Sequence, residues 1–280
     1  MSSSNRITPR ALSLTAALLG AAFGLAVPTA LAGDHYDPDE AARVEILSGW
    51  READGTHMAA LHVELGVGWK TYWRAPGDAG IPPSIDWSGS KNLGAVSYQW
   101  PVPEVFEQNG MRTIGYQHEL VLPIQITPRD PSAPVTLKAR LTLGVCRDVC
   151  MPMQTRLKVE LPTPGAPDAR ISRAMEQRPD TAAEAGLGSV RCEVTPSADG
   201  LEVTAHLTLP RQGGEEVVVM ETPNPEIWVS EADVTRSGAI LTARADLVPP
   251  PGTPMVLDRS ALRFTVLAEG RGVDVLGCGS

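Results

Sequence analysis

Apolar and polar residues alternate with a period of two through much of the chain between Val44 and Leu161. In Thr56 to Gly66, His57, Ala59, Leu61, Val63 and Leu65 alternate with Met58, Ala60, His62 and Glu64. Successive side chains of a β-strand point to opposite faces, so this spacing predicts a half-buried strand. Gln117 to Thr127 repeats the pattern, with His118, Leu120, Leu122, Ile124 and Ile126 sharing one face. From Val135 to Val145, Val135, Leu137, Ala139, Leu141, Leu143 and Val145 face inward, while Thr136, Lys138, Arg140 and Thr142 face out. Gly, Pro, Asn and Asp turns separate the segments, which predicts antiparallel sheet with one wet face.

Pro162 to Pro167 interrupts this stretch. Beyond it, Asp168 to Arg178 has a helical composition, and Thr181-Ala182-Ala183-Glu184 fits a capping box, so one or two short helices are expected. A second strand-rich stretch runs from Ser189 to Val275 and includes Leu201 to Leu209, Glu215 to Met220, Ala239 to Leu247 and Leu262 to Leu267. The pattern predicts a mainly β protein: two β-sandwich domains, residues 44–161 and 186–280, joined by a Pro-rich and helical linker over 162–185.

The first 32 residues read differently. Arg6 and Arg10 precede an apolar run from Ala11 to Val27, and Ala30-Leu31-Ala32 supplies a small-x-small pattern before Gly33. This predicts a signal peptide over residues 1–32, cleaved near Ala32, and export to the periplasm. No later run reaches the roughly 18 apolar residues of a membrane helix. The formal net charge of -9 becomes more negative once Arg6 and Arg10 are removed, which argues against nucleic acid as a partner. No phosphate-cradling glycine loop, HExxH or GxSxG is present, so nucleotide and hydrolase chemistries have no support, and no cofactor is expected.

Four cysteines remain to be explained. Cys146 and Cys150 flank Arg147-Asp148-Val149. A bond between them closes a loop of about five residues, worth only about 2 kcal/mol, so redox or metal chemistry explains the pair better than stabilisation. Continuing the inward set through Val145 puts Cys146 on the outward face, and counting back from Leu161, Val159 and Leu157 puts Cys150 there too. Both thiols are therefore expected to be reachable, directly opposite one another across a hairpin. Arg147 favours a thiolate and Asp148 opposes it, so local charge does not choose between the sulfurs. Met151 and Met153 would add soft donors for Cu(I), although both fall on the inward parity of their strand. Cys192 and Cys278 bracket the second domain and are expected to form a structural disulfide. His57 and His118 lie on apolar faces and read as core histidines, while His62 points outward next to Glu64 without a visible partner.

Several motifs in one order carry a resemblance: Gly68-Trp69-Lys70-Thr71-Tyr72-Trp73-Arg74-Ala75-Pro76-Gly77-Asp78, Trp100-Pro101-Val102-Pro103, Gly115-Tyr116 leading into Leu120-Val121-Leu122-Pro123, and Gly144-Val145-Cys146 to Cys150-Met151-Pro152. Over roughly Val44 to Leu161 the chain resembles the N-terminal periplasmic domain of the thiol:disulfide interchange protein DsbD, and more closely the related suppressor-of-copper-sensitivity type. The resemblance implies an immunoglobulin-like sandwich that relays electrons through one cysteine pair, acting as a protein-disulfide reductase. It implies a membrane electron donor of the DsbD or CcdA type and thioredoxin-fold periplasmic oxidoreductases as partners. By resemblance Cys150 forms the mixed disulfide and Cys146 resolves it, Tyr72 and Trp73 lie near the aromatics that flank the pair, and a cap loop falls between Glu104 and Thr113, with Phe106 or Met111 as its shielding residue. The chain departs from DsbD in its shorter cysteine spacing and in lacking the transmembrane and thioredoxin-like segments.

Overall fold

The computed structural model describes residues 38–108 and 110–279, and the expected signal peptide lies outside them. A short helix α1 (Pro38–Ala41) leads into β1 (Ala42–Arg51), β2 (His57–Leu65), β3 (Lys70–Tyr72), β4 (Ser84–Asp86) and β5 (Leu93–Tyr98). Then come β6 (Glu104–Gln108), β7 (Met111–Gln117), β8 (Glu119–Pro128), β9 (Thr136–Cys146) and β10 (Cys150–Glu160). These strands make a four-stranded sheet, β1-β2-β8-β5, and a larger sheet, β10-β9-β3-β7-β6, with β4 also on β9. All their pairings are antiparallel, and the inward faces of the two sheets share one core containing Leu61, Leu122, Ile124, Leu141 and Leu143. The period-two reading placed β2, β8 and β9 to within two residues, because side-chain alternation is a local property of extended backbone.

His118 departs from that reading. It has φ 65° and is exposed, and its carbonyl accepts the Leu65 N–H at 2.7 Å, so it forms the corner between β7 and β8. Gln117 belongs to β7, which lies in the opposite sheet. His57 does sit in the core region, fully buried, with Nε2–H donating to the Ser48 carbonyl at 2.5 Å. Burial pushes its pKa down, and nearby Arg51 acts the same way against the opposing effect of that hydrogen bond, so the ring is held neutral. His62 has partners that only strand pairing supplies: Glu45 on β1 at 2.9 Å and Glu119 on β8 at 3.4 Å.

Helix α2 (Ala169–Glu176) follows, with the Asp168 side chain accepting the Arg170 N–H as its N-cap. The capping box forms as expected: the Thr181 N–H donates to Glu184 at 2.8 Å and the Glu184 N–H to Thr181 Oγ1 at 3.3 Å. No second helix grows from it. Gly186 takes φ 69°, and the N–H groups of Gly186 and Leu187 bond back to Ala183 and Ala182, closing the turn in a Schellman-type stop.

The C-terminal half contains β11 (Asp180–Thr181), β12 (Ser189–Pro196), β13 (Leu201–Thr208), β14 (Val217–Glu221) and β15 (Trp228–Val229). It continues with β16 (Asp233–Ser237), β17 (Ile240–Val248), β18 (Arg263–Ala268) and β19 (Arg271–Leu276). One sheet has the order β11-β19-β18-β14, the other β12-β13-β17-β15 with β16 also on β17. Their facing sides enclose a second core that includes Val203, Leu207, Leu247, Phe264 and Val266.

The first of these sheets is covered on both faces. On β14, Val218 and Met220 enter the second core, while Val217 and Val219 pack against the first, and Leu267 on β18 joins them there. The run Val217-Val218-Val219-Met220 is continuously apolar for this reason, since a strand buried on both sides has no polar face. Arg74 crosses the same seam: its Nε and Nη2 donate to the Glu221 carboxylate at 3.0 and 2.9 Å, and Nη2 also donates to the buried Thr265 hydroxyl at 3.2 Å. Beyond the expected linker, then, an apolar and ionic seam joins the two halves.

Candidate functional site

β9 and β10 form an unbroken antiparallel hairpin in which Cys150 stands directly opposite Cys146. The parity count and the three-residue turn place the two residues together, and their sulfurs are bonded, with the Cα atoms 4.1 Å apart. Their surroundings are unequal. Cys150 is exposed, whereas Cys146 is only 7% exposed. The expectation that both sulfurs are reachable therefore holds for one of them. β10 is an edge strand, but β9 is interior to its sheet, and β3 lies along it with Lys70 opposite Cys146 and Thr71 opposite Val145.

Tyr72 completes this face. It lies two residues beyond Lys70 and so projects on the same side. A Cβ on Gly144 would come within 2.6 Å of the Tyr72 ring, so glycine at that position makes room for the ring to lie over β9. The phenol then donates to Cys150 Sγ at 3.1 Å. Burial raises the Tyr72 pKa, which keeps the hydroxyl protonated as a donor at neutral pH. In the reduced protein the same hydrogen bond favours the Cys150 thiolate. A hydrogen bond to a charged group is worth about 1.5 kcal/mol, which is about one pKa unit. Tyr72→Phe is accordingly expected to raise the Cys150 thiol pKa by about one unit. The pH profile of Cys150 alkylation in a Cys146→Ser background measures it, and an unshifted profile would remove the role given to the hydroxyl.

Trp73 does not flank the pair. It points to the opposite side of β3, is 0% exposed within the first core, and carries the Arg74 guanidinium 3.9 Å from its ring centre. Of the two candidate shielding residues, Phe106 on β6 has the Lys70 ammonium 4.7 Å from its ring centre. Met111 begins β7 and is 51% exposed. A long-range contact, made by Phe106 with Lys70, distinguishes the two side chains.

Met151 pairs with Val145 and packs against the first core, and Met153 is buried in it. The two methionines therefore face away from Cys146 and Cys150, and the four sulfurs do not converge on one copper-sized site. Among the described residues no group of three His, Cys, Asp or Glu side chains could hold a metal ion. In the turn, Arg147 pairs with Asp148 at 3.2 Å while its guanidinium lies 5.2 Å from the Trp69 ring centre. Far from this hairpin in sequence, Cys192 on β12 is bonded to Cys278 just after β19.

An exposed sulfur bonded to a buried one at the end of an edge hairpin is an arrangement suited to thiol–disulfide exchange, and the chain is similar to known proteins of that kind. Residues 34–162 match the family described as thiol:disulfide interchange protein DsbD, N-terminal. The crystal structure of the N-terminal periplasmic domain of ScsB from Proteus mirabilis is similar over 85% of this chain and 92% of that one, with 26% sequence identity and a TM-score of 0.62. That likeness extends past residue 162 into the C-terminal half, as the coverage requires. No curated protein sequence matches. The DsbD and ScsB resemblance read from the motifs is thus shown, over the N-terminal half by the family match and more widely by the structural likeness. Among the described residues no helix is long and apolar enough to cross a membrane.

Proposed function

We propose that this protein is an exported electron carrier of the periplasm, built as two immunoglobulin-like β-sandwiches, that passes reducing equivalents from a membrane donor of the DsbD or CcdA type to thioredoxin-fold oxidoreductases. The observation that carries this reading is the asymmetry of the pair: an exposed Cys150, hydrogen-bonded by Tyr72, joined to a buried Cys146. The match of residues 34–162 to the DsbD N-terminal family supports the chemistry.

Exchange begins when a donor thiolate attacks Cys150 Sγ, the sulfur that solvent reaches. The Cys146–Cys150 bond breaks, and Cys146 leaves as a thiolate and takes up a proton. The donor's second thiol loses its proton and attacks the donor sulfur of the mixed disulfide, releasing Cys150; two electrons and two protons have then moved. In the onward direction the Cys150 thiolate attacks the acceptor's disulfide, and Cys146 attacks Cys150 to re-form the bond and release the acceptor as a dithiol. The buried sulfur acts only within the molecule, where access matters least.

Cys146→Ser removes the resolving thiol and is expected to accumulate mixed disulfides with thioredoxin-fold proteins, whereas Cys150→Ser accumulates far fewer. Non-reducing electrophoresis of periplasmic extracts, with mass spectrometry of the adducts, reads the result. Absence of adducts from both variants would sink the proposal.

A further inference from the structure

Burial of Cys146 poses a problem for its own chemistry. Loss of solvent raises the cost of a thiolate, and a thiol with a raised pKa is a poor leaving group in disulfide exchange. Something must offset this when Cys150 is attacked. Lys70 is the cross-strand partner of Cys146 and projects on the same face, where paired residues have Cβ atoms about 4.5–5.5 Å apart. Its ammonium is held over the Phe106 ring at 4.7 Å, which restrains the side chain on this face instead of leaving it to solvent. Of the other charged and polar groups around the pair, Arg147 and Asp148 pair with one another at 3.2 Å, Glu104 lies exposed on β6 with β3 and β7 between it and β9, and the Tyr72 hydroxyl is engaged by Cys150.

The geometry points to Lys70 as a positioning residue that stabilises the Cys146 thiolate as the disulfide opens, and so directs nucleophilic attack to Cys150. This rests on the exchange chemistry proposed above. When a thiolate attacks Cys150 Sγ, the electron pair of the S–S bond passes to Cys146 Sγ, and the positive charge across the strand lowers the energy of that anion before it takes up a proton. Attack at Cys146 would expel the exposed Cys150 instead, and burial closes that approach. The sequence did not single out Lys70, because its placement opposite Cys146 depends on β3 lying beside β9.

Two measurements test it on the full chain. The first is the pH profile of Cys146 alkylation in a Cys150→Ser background, and the second is the rate at which dithiothreitol reduces the intact Cys146–Cys150 bond. Lys70→Met is expected to raise the Cys146 pKa by about one unit, the size of a nearby-charge effect on a thiol. A thiol of higher pKa leaves more slowly, so reduction is expected to slow severalfold. Lys70→Arg keeps the charge and is expected to restore both, and melting curves of both variants report any loss of folding separately. An unchanged profile and rate in Lys70→Met, or Lys70→Arg behaving like Lys70→Met, would overturn the inference. Dithiothreitol needs no protein partner, so a Lys70 effect without trapped adducts in cells defeats only the electron-carrier reading, and trapped adducts without a Lys70 effect defeat only this one.

Discussion

Removing the Cys192–Cys278 bond by serine substitution at both positions is expected to destabilise the C-terminal half by about 4–5 kcal/mol on the loop-entropy account. The bond joins residues 86 apart, so it restrains nearly the whole of that half when unfolded. The Cys146–Cys150 bond spans a separation of only 4, and the corresponding double-serine variant is expected to lose about 2 kcal/mol. Urea melts of the two variants against the parent decide the matter. Equal losses would erase the distinction between a stabilising bond and one retained for its chemistry. Because Val217 and Leu267 of the C-terminal half pack into the first core, the loss is also expected to loosen the seam between the halves.

Arg236→Met is expected to cost about 3–5 kcal/mol, the range for breaking a buried ion pair from one side. Arg236 Nε and Nη2 donate to the Glu216 carboxylate at 2.5 and 2.7 Å, and the two side chains are 11% and 3% exposed. Burial by itself would raise the Glu216 pKa, but the hydrogen bonds from Arg236 and the Gln212 N–H, with the charges of Arg236 and Arg211, outweigh it and hold the carboxyl below its ordinary value. The group's contribution is therefore fully present above the unfolded carboxyl value, near about 4.3, and is lost as pH falls through the lower folded value. Without Arg236 the burial effect prevails, the folded pKa rises, and stability of the variant increases on acidification through that range. Pairing Arg236→Met with Glu216→Leu is expected to recover much of the loss, since apolar replacements avoid an unpaired buried charge. Urea melts at neutral and acidic pH measure all three effects, and an Arg236→Met variant whose stability falls with acidification as steeply as the parent would contradict the argument.

The alternation along β2, β8 and β9 was legible because it depends only on neighbouring residues in one strand. The pairing of Cys146 with Cys150 was legible for the same reason, since a three-residue turn between two strands of known parity leaves little freedom of register. Local hydrogen-bonding chemistry likewise revealed the Thr181–Glu184 capping box, and helical composition revealed the segment from Asp168 that contains α2. Parity, however, says which side of a strand a residue occupies and nothing about what covers that side. Cys146 is outward by parity, yet the laying of β3 along β9 buries it and brings Lys70 opposite it. Tyr72 reaches Cys150 across 78 residues of sequence, and Arg74 reaches Glu221 across 147. His118 continued an apolar alternation but turned out to be the corner where the chain passes from one sheet to the other. The sequence by itself determined the strands with clear alternation, the cysteine hairpin and the resemblance to the DsbD N-terminal family; the inequality of the two sulfurs, and the charge and hydroxyl set beside them, arose only from packing strands that are distant in sequence, because solvent exposure and electrostatics are properties of the assembled surface.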